Sequence, residues 1–229
     1  MKAPDCFNCH CRDCTILKRC SKEWLEIIDK EKNFIRCKKG QLIIPEGIPM
    51  SQFYFIYQGK VKITSVGLYG KQQIKRLAKE GDIIGFRGLA SNNIFSASVY
   101  ALEDSALCSI NKDLFLDLLQ ANPELMFESL KLVTSELVRM ERRMKNLTTL
   151  NVREKVAESL LYVNEVFGNP ATGELEVCLS RQELAEIAMT TKEQVSKCLS
   201  EFEQEGKIRT EGKKLFLLQP DALQKMTCD

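Results

Sequence analysis

The spacing of apolar residues changes near Asn111, and this change constrains the fold more than any other feature of the chain. From about Phe34 to Ile110, short runs rich in β-branched and aromatic residues are separated by glycines. Such runs are typical of strands in an antiparallel sandwich or barrel. Gln58-Gly59-Lys60 and Tyr69-Gly70-Lys71 are typical of hairpin turns, in which glycine supplies a positive φ. The first half of the chain is therefore predicted to be a β-roll.

Beyond Asn111 the pattern becomes helical. Asn111 or Asp113 is predicted to cap a short helix, and Pro123 to lie near the first turn of a much longer one. Apolar residues then recur at alternating spacings of 4 and 3, at Met126, Leu130, Val133, Leu137, Met140, Met144 and Leu147. This 3.5-residue repeat is typical of a coiled coil, so the seam is predicted to pair with a second copy in a homodimer. The alternative is that the helix packs on its own β-domain.

The last third of the chain carries signals for two short helices joined by a tight turn. Val152–Phe167 is predicted to continue as helix, and Gly168–Gly173 to form a loop. Ser180 and Glu183 form a capping box that begins the next helix, and after Met189-Thr190 a further helix begins at Thr191. The inward face of that last helix is predicted to consist of Val195, Leu199 and Phe202. Residues 207–217 are predicted to form a hairpin wing that turns at Glu211-Gly212.

Two short helices with a tight turn can set the second helix into the major groove of DNA. Residues 152–229 carry ten Lys/Arg against fourteen Asp/Glu, so contact must come from a few placed cations and not from a bulk positive field. Glu193 can accept from cytosine N4, and Lys197 can donate to guanine. The candidate DNA-binding residues are Ser180, Arg181, Gln182, Thr191, Lys192, Glu193, Ser196, Lys197 and Lys213.

This segment resembles the C-terminal winged helix-turn-helix of the Crp/Fnr regulator superfamily, through Ser180-Arg-Gln-Glu183 and Glu193-Gln-Val-Ser-Lys197. The Fnr branch is most similar, although Lys197 stands where that branch has arginine, which leaves the half-site sequence open. The resemblance covers nearly the whole chain. It implies an α+β architecture: an N-terminal antiparallel β-roll of the cyclic-nucleotide-binding type (a double-stranded β-helix), a long dimerisation helix and a winged helix-turn-helix.

The same resemblance implies a domain order and a set of partners. The expected segments are a cysteine-rich stretch (1–22), a β-roll sensor (23–121), a dimerisation helix (122–150) and a DNA-binding domain (151–229). The expected partners are a second copy of the chain, double-stranded DNA with a pseudo-palindromic operator, and RNA polymerase. No stretch has the apolar length of a membrane span or the core of a signal peptide, so a cytoplasmic location is expected.

Cyclic AMP is not an expected ligand. The cyclic-nucleotide branch uses a glutamate for the ribose and an arginine for the phosphate, and the aligned positions here are Phe86 and Phe95. A buried phosphate that lacks its arginine would be an unpaired charge, which is costly.

The cysteines indicate another input. Ten are present, five of them in the first twenty residues, against a single histidine, His10. Cys11, Cys14 and Cys20 have the spacing Cys-x2-Cys-x5-Cys, which resembles the motif that holds a [4Fe-4S] cluster in Fnr, and Cys108 resembles the fourth ligand. The alternatives are a zinc site, no metal, or a role for Cys108 as an ordinary core residue.

These observations favour a regulator that responds to oxygen, NO or redox state. The alternative is a Crp/Fnr-type regulator whose β-roll binds another small effector, or haem. An enzyme is not expected, because one histidine cannot supply a cupin-type metal site and the chain has neither a P-loop nor a GxGxxG after a strand.

Overall fold

The structure is a computed structural model that describes residues 4–10, 16–67, 70–90, 92–168 and 172–227. The chain divides into two compact units: unit 1 comprises Met1–Ile63 and Ala78–Val138, and unit 2 comprises Thr64–Leu77 and Arg139–Asp229. Thr64–Leu77 thus groups with the helices of unit 2.

Eight of the described strands form two four-stranded sheets, which confirms the predicted antiparallel β-roll. One sheet has the order β1-β8-β3-β6 and the other β2-β7-β4-β5. The strands are β1 Asn33–Cys37, β2 Leu42–Ile44, β3 Gln52–Gln58, β4 Lys60–Val66, β5 Gln72–Lys79, β6 Ile83–Ile84, β7 Ser98–Ala101 and β8 Ser105–Asn111. Inward residues of both sheets, such as Phe53 and Val99, share one hydrophobic core.

The hairpin predicted at Gly59 is wrong, because β3 and β4 lie in different sheets and do not pair with each other, although the predicted positive φ is present. Gly59 joins β3 to β4 with φ of 95°, and a Cβ at this position would lie 2.8 Å from the Cβ of Ser105. Both the left-handed backbone and the close approach therefore require glycine. Gly70 also has a positive φ of 72°, but Tyr69 lies outside the described residues, so the second turn stays a prediction.

Three helices accompany the sheets in unit 1: α1 Lys22–Glu31, α2 Phe86–Ala90 and α3 Lys112–Ala121. The cap at Asn111 is confirmed, because its side chain accepts a hydrogen bond from the Asp113 amide at 2.8 Å. Helix α1 was not predicted. A 3-10 helix at Ile16–Arg19 precedes it, and Ser21 caps its amino end.

The long helix α4 spans Pro123–Thr149, and α5 spans Val152–Phe167. Pro123 lies at the first position of α4, as predicted, where its missing N–H costs nothing. A new helix starts after Leu150 because Asn151 and Glu154 form a reciprocal capping box.

The remaining elements of unit 2 are α6 Arg181–Ala188, α7 Lys192–Gln204, β9 Ile208–Glu211, β10 Lys214–Leu217 and α8 Pro220–Thr227. The paired strands β9 and β10 are the predicted wing, and Gly212 between them has φ of 61°. Helix α8 was not predicted; it buries Leu223 completely. Among the described residues, no helix has both the length and the apolar character needed to cross a membrane.

Candidate DNA-reading surface and thiol cavity

Helix α6 begins with the predicted capping box. The Ser180 hydroxyl accepts a hydrogen bond from the Glu183 amide at 3.1 Å, and the Glu183 carboxylate accepts from the Ser180 amide at 2.8 Å. The exposed residues Ser180 and Gln182 and the half-buried Arg181 surround this amino end. The buried face of α6 includes Leu184, Ile187 and Ala188, and it packs against the rest of unit 2.

A tight turn separates α6 from α7. Met189 adopts a left-handed conformation with φ of 51°, and the Thr190 amide donates to the Ala185 carbonyl at 3.1 Å. The hydroxyl of Thr191 then caps α7 by accepting from the Gln194 amide at 3.3 Å. The short connection and the start of α7 at Thr191 are therefore confirmed.

Helix α7 has one buried face and one open face. Val195, Leu199 and Phe202 are all at most 2% exposed, which confirms the predicted inward face. The candidate base-contacting residues Lys192, Glu193 and Lys197 are exposed, and Ser196 is half-buried with its hydroxyl donating to the Lys192 carbonyl at 2.9 Å. A backbone amide and the Thr191 hydroxyl lower the pKa of Glu193, so its carboxylate is ionised near neutral pH.

Long-range contacts that the sequence did not reveal hold α7 in place. The Arg153 guanidinium on α5 pairs with Glu201 at 3.7 Å and with Glu205, and it lies 5.2 Å from the centre of the Phe202 ring. The Glu203 carboxylate accepts from the Thr210 amide at 2.7 Å and hydroxyl at 2.8 Å, which joins α7 to the wing. The wing candidate Lys213 is exposed in the turn between β9 and β10.

The two phenylalanines at the cyclic-nucleotide positions belong to the core of unit 1. The Phe86 ring lies 5.3 Å from the Phe53 ring and 6.0 Å from the Phe115 ring, both edge-to-face. Phe95 is 6% exposed and lies 6.1 Å from the Tyr54 ring. These apolar rings offer neither a carboxylate for a ribose nor a cation for a phosphate.

Thiols from distant parts of the chain line one cavity beside strand β8. Cys6, Cys9 and Cys108 line a cavity of about 40 Å³ together with Lys32. Burial raises the pKa of Cys6 to about 11 and that of Cys108 to about 12, so both are thiols at neutral pH.

The predicted ligand set is only partly described. Cys11 and Cys14 lie outside the described residues. Cys20 is 8% exposed within the core of unit 1, whereas Cys108 faces the thiol cavity. Thiol sulfur is the donor that an iron–sulfur cluster requires, so the chemistry of the residues fits. In the described part of the chain, no three His, Cys, Asp or Glu side chains are already arranged to hold a metal ion.

Comparison with known proteins identifies the architecture. Residues 34–122 match the cyclic nucleotide-binding domain family, and residues 154–226 match the Crp-like helix-turn-helix domain family. The chain is a member of the Crp/Fnr superfamily of transcription regulators.

Relatives of this Crp/Fnr regulator match it along most of its length. Electron transport regulator A of Shewanella oneidensis is 25% identical over 220 residues, which cover 91% of this chain and 86% of that protein. The fumarate and nitrate reduction regulatory protein of Salmonella typhimurium is 26% identical over 222 residues, covering 93% and 88%. The structure of FixK2 from Bradyrhizobium japonicum has the same fold, with a TM-score of 0.77 at 20% identity, covering 86% and 98%.

The apolar seam of α4 in this Crp/Fnr regulator is largely exposed to solvent. Leu130, Leu137 and Met144 are 57%, 55% and 66% exposed, Val133 and Met140 are more than two-fifths exposed, and Leu147 is half-buried. A continuous apolar strip of this kind marks an interaction surface.

A buried arginine in α4 joins several elements of unit 2. The Arg143 guanidinium stacks 3.9 Å from the centre of the Tyr162 ring, and it donates to the Ile187 carbonyl in the last turn of α6 at 3.2 Å and to the Lys75 carbonyl of β5 at 3.5 Å. Burial raises the pKa of the neighbouring Glu158 carboxyl, and Arg143 opposes that rise. The role of Arg143 could not be predicted from the sequence, because its hydrogen-bond partners Ile187 and Lys75 lie 44 and 68 residues away.

Proposed function

We propose that this regulator binds DNA as a homodimer, with α7 in the major groove of each half-site. The observation that carries the proposal is the amphipathic geometry of α7: its apolar face is buried on α5 and α6, and Lys192, Glu193 and Lys197 project from the open face. In this geometry the amino-terminal half of the second helix reaches base edges.

The placed side chains define what each contact would read. The ionised Glu193 carboxylate accepts from cytosine N4, and Lys197 brings a point charge to guanine O6 or N7. At the start of α6, backbone amides and the side chains of Arg181 and Gln182 hold a phosphate, and Lys213 in the wing holds another.

The DNA proposal is tested by operator selection with a Glu193→Ala variant. Binding to the selected wild-type site should weaken roughly tenfold to a hundredfold and the base preference at one position should relax. Glu176→Ala, an exposed carboxylate in the loop before α6, is the matched control and should leave both unchanged. An unaltered site preference in Glu193→Ala would show that α7 does not read the bases.

The dimer is proposed to form through the α4 seam: Leu130, Val133, Leu137, Met140, Met144 and Leu147. A charge in the middle of such a seam has no polar partner, so Leu137→Glu should give a monomer in analytical ultracentrifugation. Glu136→Lys, beside the seam, should remain a dimer. A dimeric Leu137→Glu protein would place the interface elsewhere. Two-fold symmetry further predicts half-sites centred about 10 base pairs apart.

The input is proposed to be oxygen, NO or redox state, through a [4Fe-4S] cluster held by Cys11, Cys14, Cys20 and Cys108. Two observations support it: Cys108 faces the N-terminal thiols, and Phe86 and Phe95 replace the groups that would bind a nucleotide. When bound, such a cluster would make the protein sensitive to oxidants, because oxidants degrade the cluster. The chain's own contribution is to bring the N-terminal thiols and β8 together. Action in the cytoplasm and contact with RNA polymerase belong to this proposal.

Anaerobic purification tests the redox proposal. The protein should be brown and contain iron and sulfide, and Cys108→Ser should lose most of both. Cys37→Ser, in the buried end of β1, is the control and should keep them. A colourless, iron-deficient wild-type protein under strict anaerobiosis would favour another small effector in the β-roll, whereas a red protein with iron but no sulfide would favour haem.

A further inference from the structure

The carboxyl-terminal end of α6 is supported by a side chain from α4. The last four carbonyls of a helix lack amide donors within the helix, so they need partners from elsewhere. One of them, the Ile187 carbonyl, accepts a hydrogen bond from the Arg143 guanidinium at 3.2 Å. The guanidinium also brings a positive charge to the end of α6 at which the helix dipole is negative. Arg143 therefore stabilises the end of α6 from which the turn to α7 begins.

The same side chain reaches strand β5. This strand comes last in the sheet order β2-β7-β4-β5, and an edge strand presents unpaired N–H and C=O groups. The Lys75 carbonyl accepts a long hydrogen bond from Arg143 at 3.5 Å, and the Leu77 amide donates to the Tyr162 hydroxyl at 3.0 Å. Backbone groups two residues apart on a strand point to the same side. Arg143 and Tyr162 therefore bind β5 side by side, as a neighbouring strand would.

Arg143 and Tyr162 also contact each other. The guanidinium lies 3.9 Å from the centre of the Tyr162 ring, and the two residues are 6% and 3% exposed. Stacking on an aromatic face restricts the plane of the guanidinium, so its N–H groups are directed at Ile187 and Lys75 together. These residues all belong to unit 2, where they join α4, α5, α6 and β5 at one point.

Stability does not explain why this buried residue is an arginine. In the described part of the chain no carboxylate forms an ion pair with Arg143, and its Nε–H is buried without an acceptor. Burying such a charge costs free energy that an apolar side chain of similar size would not cost. An apolar side chain, however, cannot donate to two carbonyls on separate elements, as the planar guanidinium does. The contribution specific to arginine is therefore the geometry of α6 relative to β5.

We propose that Arg143 is a positioning residue for DNA binding, which fixes the end of α6 against β5 and thereby sets the direction of α7. The proposal rests on the proposed role of α7 in the major groove. Only residues 189–191 separate the two helices, and the amides of Met189 and Thr190 both donate to the Ala185 carbonyl. Because the connection is so short, a displaced end of α6 displaces the start of α7.

The loss of Arg143 should reduce the share of molecules in which α7 is correctly oriented before it meets DNA. The apparent affinity for the operator falls with that share, because only the oriented form binds. The same α7 side chains still meet the bases, so the base preference should be unchanged. Binding to random-sequence DNA depends on phosphate contacts and should also be unchanged. A residue that only stabilised the fold would lower the melting temperature and leave the operator affinity of the folded protein as it was.

The test compares Arg143→Met with wild type as full-length proteins, by fluorescence anisotropy on the selected operator and on random-sequence DNA. Affinity for the operator should fall roughly tenfold, because the α6 carbonyl loses its charged donor. Arg143→Lys keeps the charge but cannot fork onto two carbonyls, so it should recover part of the loss. Arg142→Met is the matched control: this neighbouring arginine is 55% exposed and pairs with the exposed Glu165, so the variant should bind as wild type does.

Hydrogen exchange without DNA measures the support of the turn directly. In Arg143→Met the amides of Met189 and Thr190 should exchange faster than in wild type. The Lys207 amide, which donates to the Phe202 carbonyl at the far end of α7, should exchange at the wild-type rate.

Three results would overturn the proposal: wild-type operator affinity in a folded Arg143→Met protein, an altered base preference, or an equal loss of affinity in Arg142→Met. Circular dichroism confirms that each variant is folded before it is scored, and Arg143→Lys takes the place of Arg143→Met if the latter does not fold. The reading role of α7 is tested separately by Glu193→Ala. If Glu193→Ala keeps the wild-type site preference while Arg143→Met weakens binding and speeds exchange in the turn, α7 does not read the bases, and the positioning role of Arg143 stands.

Discussion

The hydroxyl of Tyr162 makes a buried hydrogen bond whose removal tests the packing of unit 2. Tyr162 on α5 and Leu77 on β5 are 3% and 2% exposed, and the Leu77 amide donates to the Tyr162 hydroxyl at 3.0 Å. In Tyr162→Phe the ring remains as a surface for the Arg143 guanidinium, so the substitution removes the hydroxyl and little else.

The size of the destabilisation follows from the Leu77 amide, which loses its hydrogen-bond acceptor. The Leu77 N–H would be buried with no acceptor, which destabilises the native state by about 1–3 kcal/mol. For a chain of this size each kcal/mol lowers the melting temperature by about 2–4 °C. The expected fall for Tyr162→Phe is therefore roughly 2–12 °C.

Calorimetry and urea denaturation at neutral pH measure this loss. Tyr100→Phe on β7, a half-buried tyrosine of unit 1, is the matched control and should change the free energy of unfolding by less than about 0.5 kcal/mol. If Tyr162→Phe is as stable as wild type, the Leu77 amide does not depend on the Tyr162 hydroxyl, and the packing inferred for β5 against α5 is wrong.

Three further predictions concern unit 2. Met189→Gly should raise stability slightly or leave it unchanged, because glycine adopts the left-handed turn with φ of 51° without strain; a drop of several degrees by thermal melting would contradict this. Glu158 has a raised pKa, so the folded chain binds its proton more tightly and stability falls as pH rises above about 4. Glu158→Gln should therefore have a higher melting temperature than wild type at pH 7–8, and the two temperatures should converge in acid. A difference that does not change with pH would show that the ionisation of Glu158 is not its cause. Thr210→Val should loosen the wing from Glu203 and weaken DNA binding without changing base preference, as measured by fluorescence anisotropy.

The elements that the sequence predicted well are those with local signals. A capping box places two partners three residues apart, so Ser180 with Glu183 marks the start of α6 in any context. The caps at Asn111 and Thr191 work in the same way, and the periodic seam reveals α4 over many turns.

The missed helices are short, although each carries a local signal, since Ser21 caps α1 and Pro220 begins α8. Helix α1 buries Leu25 and Ile28 and α8 buries only Leu223, and so few buried positions do not establish an apolar period. Their positions are determined by the surfaces on which they pack, and a single sequence does not contain that information.

The candidate site divides in the same way. The open face of α7 follows from helical periodicity once Val195 and Leu199 are assigned inward. The contacts that hold that helix and the N-terminal residues around Cys6 are pairs such as Arg153 with Glu205 and Lys32 with Cys6, which lie 52 and 26 residues apart. No spacing rule connects residues so distant, and only the folded chain shows them as partners.

The same long-range pairs explain how a net acidic domain can serve as a DNA reader. Glu201 and Glu205 are engaged with Arg153, and Glu203 accepts two hydrogen bonds from Thr210. These carboxylates lie in the last turns of α7 or, for Glu205, at its carboxyl-terminal cap, whereas Lys192 and Lys197 lie in its amino-terminal half. A charge count over residues 152–229 therefore mixes acids that orient the reading helix with the few side chains that would meet DNA. Glu205→Lys would make the domain more basic, but it would also break a contact of Arg153. It should therefore weaken operator binding. Tighter sequence-specific binding would show that bulk charge, and not the placement of α7, controls recognition.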